Sequence, residues 1–348
     1  MTDSFDIRTL VRKNILEMKP YSSARDEYSG SASVFLDANE NPFNAPLNRY
    51  PDPHQLDLKK RIAQLKGVSV DQIFLGNGSD EGIDVLFRVL CEPGRDNVIT
   101  VDPTYGMYGV CASINGVDQR SILLNKDFSL DPEAVLTAVD ENTKLIFLCS
   151  PNNPTSNSLD REAMLKIIDQ VNCMVVVDEA YIDFSQHAGL LSLLNEKKNL
   201  VVLQTLSKAW GFAGIRLGML FAHPELVEFL SRVKYPYNIN SLTLDAALSG
   251  LRNTAQSSRW IREILAERSA LAKQLETLSL VKRIHPSDAN FLLLQVEDPS
   301  ALYAFLMKKG IIVRDRSSVP LCEGCLRITI GTSEENRALI NALKTFQS

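Results

Sequence analysis

Surplus positive charge, histidine and clustered cysteine are all scarce in this chain. Lysine and arginine total 37 against 42 aspartates and glutamates, a formal charge of −5, so electrostatics give no reason to expect nucleic acid or an anionic membrane as a partner. Small anions could still bind local arginines. No apolar run approaches the ~20 residues that span a bilayer, and Asp3, Asp6 and Arg8 stand where a secretion signal needs an apolar core. A cytoplasmic location is expected. Four histidines and six scattered cysteines supply no metal-ligand set, and reduced thiols are expected. Cys322 and Cys325 have the spacing of a redox or metal pair, but without a second pair or a histidine cluster they read as a turn before the strand Leu326–Ile330. Internal repeats and low-complexity linkers are also missing.

What is present is a long, core-rich chain of 348 residues, 45% hydrophobic, enough for two domains. From about Val70 to Ala222, short β-branched runs alternate with helical patterns. That alternation predicts an α/β fold with a mainly parallel, seven-stranded sheet covered on both faces. The strands expected are 73–75, 97–101, 121–124, 145–149, 174–178, 200–204 and 217–221. Asp131-Pro132 and Asp160 mark helix starts. A long helical stretch, roughly 242–278, leads into strands near 283–284, 290–295, 311–314 and 326–330, with helices at about 300–309 and 334–346. The expected organisation is an N-terminal arm (1–45) packing on the small domain or a partner subunit, a large domain (46–245) and a smaller α+β domain (246–348).

Five short motifs carry possible chemistry. Lys208 follows the apolar strand 200–203, beside Ser207 and eight residues before Arg216. A lysine in a dry, electropositive site loses its proton easily and can form a Schiff base, while the serine and arginine suit a phosphate. Gly76-Asn77-Gly78-Ser79-Asp80 enters a helix expected at 81–90, and free amides at a helix start favour phosphate; taken alone, a capped turn explains it equally well. In Ser150-Pro151-Asn152-Asn153-Pro154 the prolines fix a loop that presents asparagine amides at the end of a strand. Asp178 ends an apolar strand, where a carboxylate needs a cationic partner such as a protonated pyridine nitrogen, and Tyr181 follows. Tyr105, in another loop after a strand, could lie flat on an aromatic ring. Open α/β sheets bind ligands at such strand ends.

In this order the motifs resemble the fold-type I pyridoxal phosphate aminotransferases over almost the whole chain. The resemblance implies that Lys208 carries pyridoxal 5'-phosphate, that Asp178 pairs with its ring nitrogen, and that Asn153 and Tyr181 bond its ring hydroxyl. Tyr105 would stack on the ring, and Ser79, Asp80, Ser207 and Arg216 would surround the phosphate. It also implies a homodimer with shared active sites. Pro20-Tyr21-x-x-Ala24-Arg25, Leu36-Asp37-Ala38-Asn39-Glu40-Asn41-Pro42, Asn48-Arg49-Tyr50-Pro51, Arg314-Asp315 and Cys325-Leu326-Arg327-Ile328-Thr329 are similar to the branch acting on L-histidinol phosphate. There 2-oxoglutarate accepts the amino group and becomes glutamate, in histidine biosynthesis. On that basis Tyr21, Arg314 and Arg327 bind the substrate, Asn39 and Asn41 border it, and Tyr50 reaches the partner's cofactor phosphate. Alternatives are an aromatic or general amino-acid aminotransferase, an amino-acid phosphate decarboxylase on the same scaffold, and a cofactor-binding protein without turnover. Two positions depart from the family pattern: Ser156 stands where glycine is common, and Trp210 where phenylalanine is usual.

Overall fold

The computed structural model describes residues 5–22, 24–28 and 32–346. Seven strands form the large sheet: β1 Ile73–Asn77, β2 Asn97–Asp102, β3 Asp118–Leu123, β4 Thr143–Cys149, β5 Met174–Asp178, β6 Leu200–Thr205 and β7 Leu217–Phe221. Their order is β1-β7-β6-β5-β4-β2-β3. Neighbours from β3 to β6 run parallel, whereas β7 lies antiparallel between β1 and β6. Burial on both faces explains the unbroken apolar runs. In β5, Val175 and Val177 join one core layer, and Met174 and Val176 join the opposite one, as the two-residue period of a strand requires.

The helix starts read from sequence are present. The Asp131 carboxylate accepts from the Glu133 and Ala134 amides, and that of Asp160 from the Ala163 amide. The helix expected at 81–90 instead spans Gly78–Leu90. Its first turn is stabilised by the Glu81 carboxylate, which accepts from the Asn77 amide group.

The long helical stretch expected at about 242–278 is two helices, Ser241–Arg252 and Thr254–Leu275, not one. Asn253 interrupts them, and its side chain caps the second by accepting from the Gln256 amide. A second, antiparallel sheet follows, ordered β10-β11-β9-β8, built from β8 Val281–Ile284, β9 Phe291–Val296, β10 Arg314–Asp315 and β11 Cys325–Thr329. The strand expected at 311–314 is shorter and later. The Ile311 amide bonds back to the Leu306 carbonyl at 2.9 Å, finishing the preceding helix and leaving the ladder to start at Arg314. Phe291, Leu293 and Cys325 pack into the core layer beneath the large sheet, so the second sheet leans over the ends of the large one.

Residues 7–15 of the N-terminal segment pack on the large sheet's helices. Ile7, Leu10, Val11 and Ile15 are buried with Ile83, Leu86, Leu226 and Leu230 on the large sheet's helices. The Arg12 amide donates to Val89, and its guanidinium pairs with Glu92 at 3.1 Å. Apolar residues at helical spacing find their complement on that helical layer.

Farther along, Glu40 organises the arm, its carboxylate only 3% exposed between Arg25 at 2.8 Å and Arg49 at 2.7 Å. Burial by itself would raise this carboxyl, but bonds from Arg49, the Tyr50 amide and Arg25 together outweigh it and lower it to about 2. A depressed carboxyl stabilises the fold fully above the unfolded value near 4.5 and loses that contribution as pH falls toward 2. Limited proteolysis should therefore leave residues 32–50 protected at pH 6 and increasingly cleaved between pH 4.5 and 2, whereas Glu40→Gln should expose them already at pH 6.

Candidate active site

The ends of β1, β4, β5 and β6 meet the β10–β11 hairpin around a cavity of about 360 Å³. Ser79, Asp80, Tyr105, Asn153, Asp178, Tyr181, Ser207, Lys208, Arg216, Arg314 and Arg327, scattered over some 250 positions of chain, all line it.

One end is an anion cradle. Gly78 has φ +73°, and a Cβ there would come within 2.5 Å of the Arg216 guanidinium. A Cβ on Gly218 would lie 2.1 Å from the Gly78 carbonyl carbon, so glycine at both places lets β7 run against the turn. The Gly78 amide donates to the Arg216 carbonyl at 2.9 Å, and Ser79 and Asp80, next in the helix's first turn, line this end, where a helix start favours an anion. The Asp80 carboxylate accepts from the Tyr105 hydroxyl at 3.0 Å and stands 3.5 Å from Arg216. It positions those two side chains and leaves its backbone amide available to an anion.

At the cavity floor, the Asp178 carboxylate is 3% exposed and accepts from the Tyr108 hydroxyl at 2.8 Å and the Ala180 amide at 3.0 Å. Burial pushes its carboxyl up, and those two bonds only partly oppose the shift. Facing it, Lys208 is pushed down, first by burial and then by the nearby Arg327 charge. Its ammonium lies 5.7 Å from the Tyr181 ring centre. A buried acid and a cation readily made neutral, both lining one cavity, suit a planar aldehyde with a protonated ring nitrogen.

The third wall joins the two sheets. Asn153 donates to the Tyr181 hydroxyl at 3.5 Å and accepts from Arg327. Asn152 pins the loop by donating to the Pro103 carbonyl at 2.8 Å. Ser156 adopts φ +68°, a conformation that costs a non-glycine residue about 1 kcal/mol. Its hydroxyl donates to the Pro286 carbonyl at 3.0 Å, and the Asp288 amide donates to its carbonyl at 2.8 Å. The hydroxyl that glycine lacks thus ties the asparagine loop to the small domain and offsets the strain.

Four of the residues singled out in sequence lie elsewhere. Tyr21 is 69% exposed and sits with Pro53, Lys59 and Lys234. Tyr50 stacks on Tyr237 at 4.5 Å. Asn41 accepts from the Phe43 amide, and Asn39 occupies a turn with φ +55°. Conversely, Tyr108 and Arg316 belong to the site, and sequence reasoning gave them no role. Tyr108 lies three residues after Tyr105 at a helix start, and Arg316 two after Arg314 on a strand, so each shares a face with a residue already singled out. Cys322 and Cys325 are buried, and burial raises their thiols to about 12 and about 11. The described residues hold no cluster of three or more side chains suited to a metal.

Fold and cavity define the class first. Residues 31–343 match the model of the aminotransferases of class I and II, and the chain belongs to that family. Within it, the histidinol-phosphate aminotransferase of Parabacteroides distasonis is 56% identical over 342 residues, 98% of this chain and 99% of that one; the chain is a member of the histidinol-phosphate aminotransferase family. Among solved structures, the histidinol-phosphate aminotransferase of Sinorhizobium meliloti in complex with pyridoxal-5'-phosphate superposes with a TM-score of 0.79, 25% identity and 88% of each chain covered. An L-threonine-O-3-phosphate decarboxylase of Porphyromonas gingivalis gives 0.73 and 25%, covering 86% of this chain and 91% of that one. Shape alone therefore does not separate amino transfer from decarboxylation.

Proposed function

We propose that this protein transfers the amino group of L-histidinol phosphate to 2-oxoglutarate, giving imidazole-acetol phosphate and L-glutamate in histidine biosynthesis, with pyridoxal 5'-phosphate as cofactor. The observation that carries this reading is the joint placement of Lys208, Asp178 and the arginines 314 and 327 around one cavity. Ser79, Asp80, Ser207 and Arg216 would surround the cofactor phosphate. Asn153 and Tyr181 would bond the ring hydroxyl, Tyr105 would cover the ring, and Asp178 would keep its nitrogen protonated. The bound cofactor supplies a carbonyl that takes up the amino group and a ring that accepts the electron pair left by proton removal. Lys208 Nζ, its proton loosened by burial, would hold the cofactor and, once freed, take the proton from the substrate carbon that bears the amine. Arg314 and Arg327 fix the substrate's far anionic end, which is a phosphate ester in one half-reaction and a carboxylate in the other.

A coupled assay with histidinol phosphate and 2-oxoglutarate, beside phenylalanine and tyrosine as donors, tests this. Faster turnover of the free aromatic amino acids, or carbon dioxide release independent of oxo acid, would overturn it.

The working unit is a cytoplasmic homodimer, with the chain divided into an arm (1–45), a large cofactor domain (46–245) and a small domain (246–348). Two sheets support the division. Six buried, unpaired cysteines suit a reducing compartment. Leu36, 91% exposed, and Phe43, 77% exposed, mark an apolar stretch that needs a cover, and a second copy provides it. In the dimer Tyr50 reaches the partner's cofactor phosphate, while Tyr21, Asn39 and Asn41 border a substrate. Mixing Lys208→Ala with Tyr50→Ala subunits is then expected to regenerate one whole site per mixed dimer. Activity should rise toward about a quarter of wild type on random reassociation; no rise above the two parents would contradict a shared site.

A further inference from the structure

The β10–β11 hairpin gathers more positive charge than two anion-binding arginines require. Arg314 lies directly opposite Arg327 in the antiparallel register. Arg316 follows two residues on, its amide donating to the Cys325 carbonyl at 2.9 Å and so continuing the ladder. The two-residue period puts all three side chains on one face, and all three line the cavity. Like charges placed opposite each other destabilise a sheet, yet none of the three has a carboxylate partner among the described residues. Arg327 bonds only the Asn153 amide oxygen, and the buried Nε of Arg316 has no partner at all. Burial and the charges of Arg327 and Arg314 all work against the Arg316 cation.

A site that gathers three repelling guanidiniums and leaves a buried donor unused is built for a ligand of more than one negative charge. A carboxylate offers two oxygens and one charge, which a single arginine fork satisfies. A phosphate monoester offers three oxygens and close to two charges near neutral pH. We propose that Arg316 is a third substrate-binding arginine, completing a dianion site with Arg314 and Arg327 and setting the preference for a phosphorylated amine over a carboxylate substrate. This rests on the proposed reaction, in which the same cavity accepts both anions in turn.

Arg316→Gln keeps a polar side chain and removes the charge. It is expected to raise KM for histidinol phosphate about tenfold or more, as loss of one charged hydrogen bond does, while KM for glutamate rises less than about threefold. Arg316→Lys should recover part of the difference. A second measurement needs no turnover: inorganic phosphate should raise the melting temperature of the wild-type holoenzyme, whose cofactor already fills the other anion cradle, and raise that of Arg316→Gln much less. Without phosphate the variant should melt no lower than wild type, because a repelling charge has gone; a purely packing role would lower it. Equal KM changes for the two substrates, or an undiminished phosphate shift, would overturn the proposal. A wild-type enzyme inactive on histidinol phosphate whose phosphate shift still depends on Arg316 would overturn the substrate assignment and leave the dianion site standing.

Discussion

Lys208→Ala is expected to lower kcat by about four orders of magnitude or more, because one side chain supplies both the covalent hold on the cofactor and the proton-transfer base. General base catalysis alone is worth about 10²–10⁴-fold, and covalent activation adds to it. Borohydride reduction and peptide mapping should find the cofactor attached to the Lys208 peptide in wild type and nowhere in the variant. Retention of more than about one per cent of activity would remove Lys208 from the reaction. The stability effect should run the other way. Burial and Arg327 lower the Lys208 value in the folded state, so the charged lysine opposes folding below that lowered value and ceases to do so as pH rises toward the ordinary lysine range. The cofactor-free variant should then melt no lower than wild type at neutral pH, a cost accepted at a site kept for chemistry.

Asp178→Asn is expected to lower kcat roughly a thousandfold while Lys208 still captures the cofactor. The side chain keeps its shape but loses the charge that holds the ring nitrogen protonated. Breaking a buried charge pair costs about 3–5 kcal/mol, and each 1.4 kcal/mol is about tenfold in rate. A loss of tenfold or less would mean that the nitrogen is not held protonated by Asp178. Cofactor-free protein provides a second check, since burial raises the Asp178 carboxyl. A raised acid costs nothing below its ordinary value, and its penalty grows as pH rises toward the raised one. Asparagine removes the penalty, so the advantage of the cofactor-free variant should be absent near pH 3.5 and present at neutral pH, and reconstitution with cofactor should reverse it.

Much of this site was legible because its chemistry stands out locally. Lys208 and Asp178 follow strands so apolar that a charge at the end needs a reason. The strands of the parallel sheet were visible for the same reason, burial on both faces. Arg316 was not legible, since an arginine beside Asp315 reads as a surface residue until the hairpin register sets it opposite Arg327. Nor was Tyr108, whose value lies in one bond to a carboxylate seventy residues away. Placement of the arm on the large sheet's helices depended on matching one apolar face to another, and a sequence states only the first face.

The sequence by itself determined which residues could react and the kind of sheet that would carry them, because desolvation cost and strand or helix period are properties of short segments. Tertiary structure decided which of them meet. It inserted β7 antiparallel, turned the Asp80 carboxylate toward Arg216 and Tyr105, and let Ser156 tie the asparagine loop to the small domain. It also left Tyr21 and Tyr50 outside the cavity of their own chain. Those outcomes depend on distances between segments far apart in sequence, and only packing sets such distances.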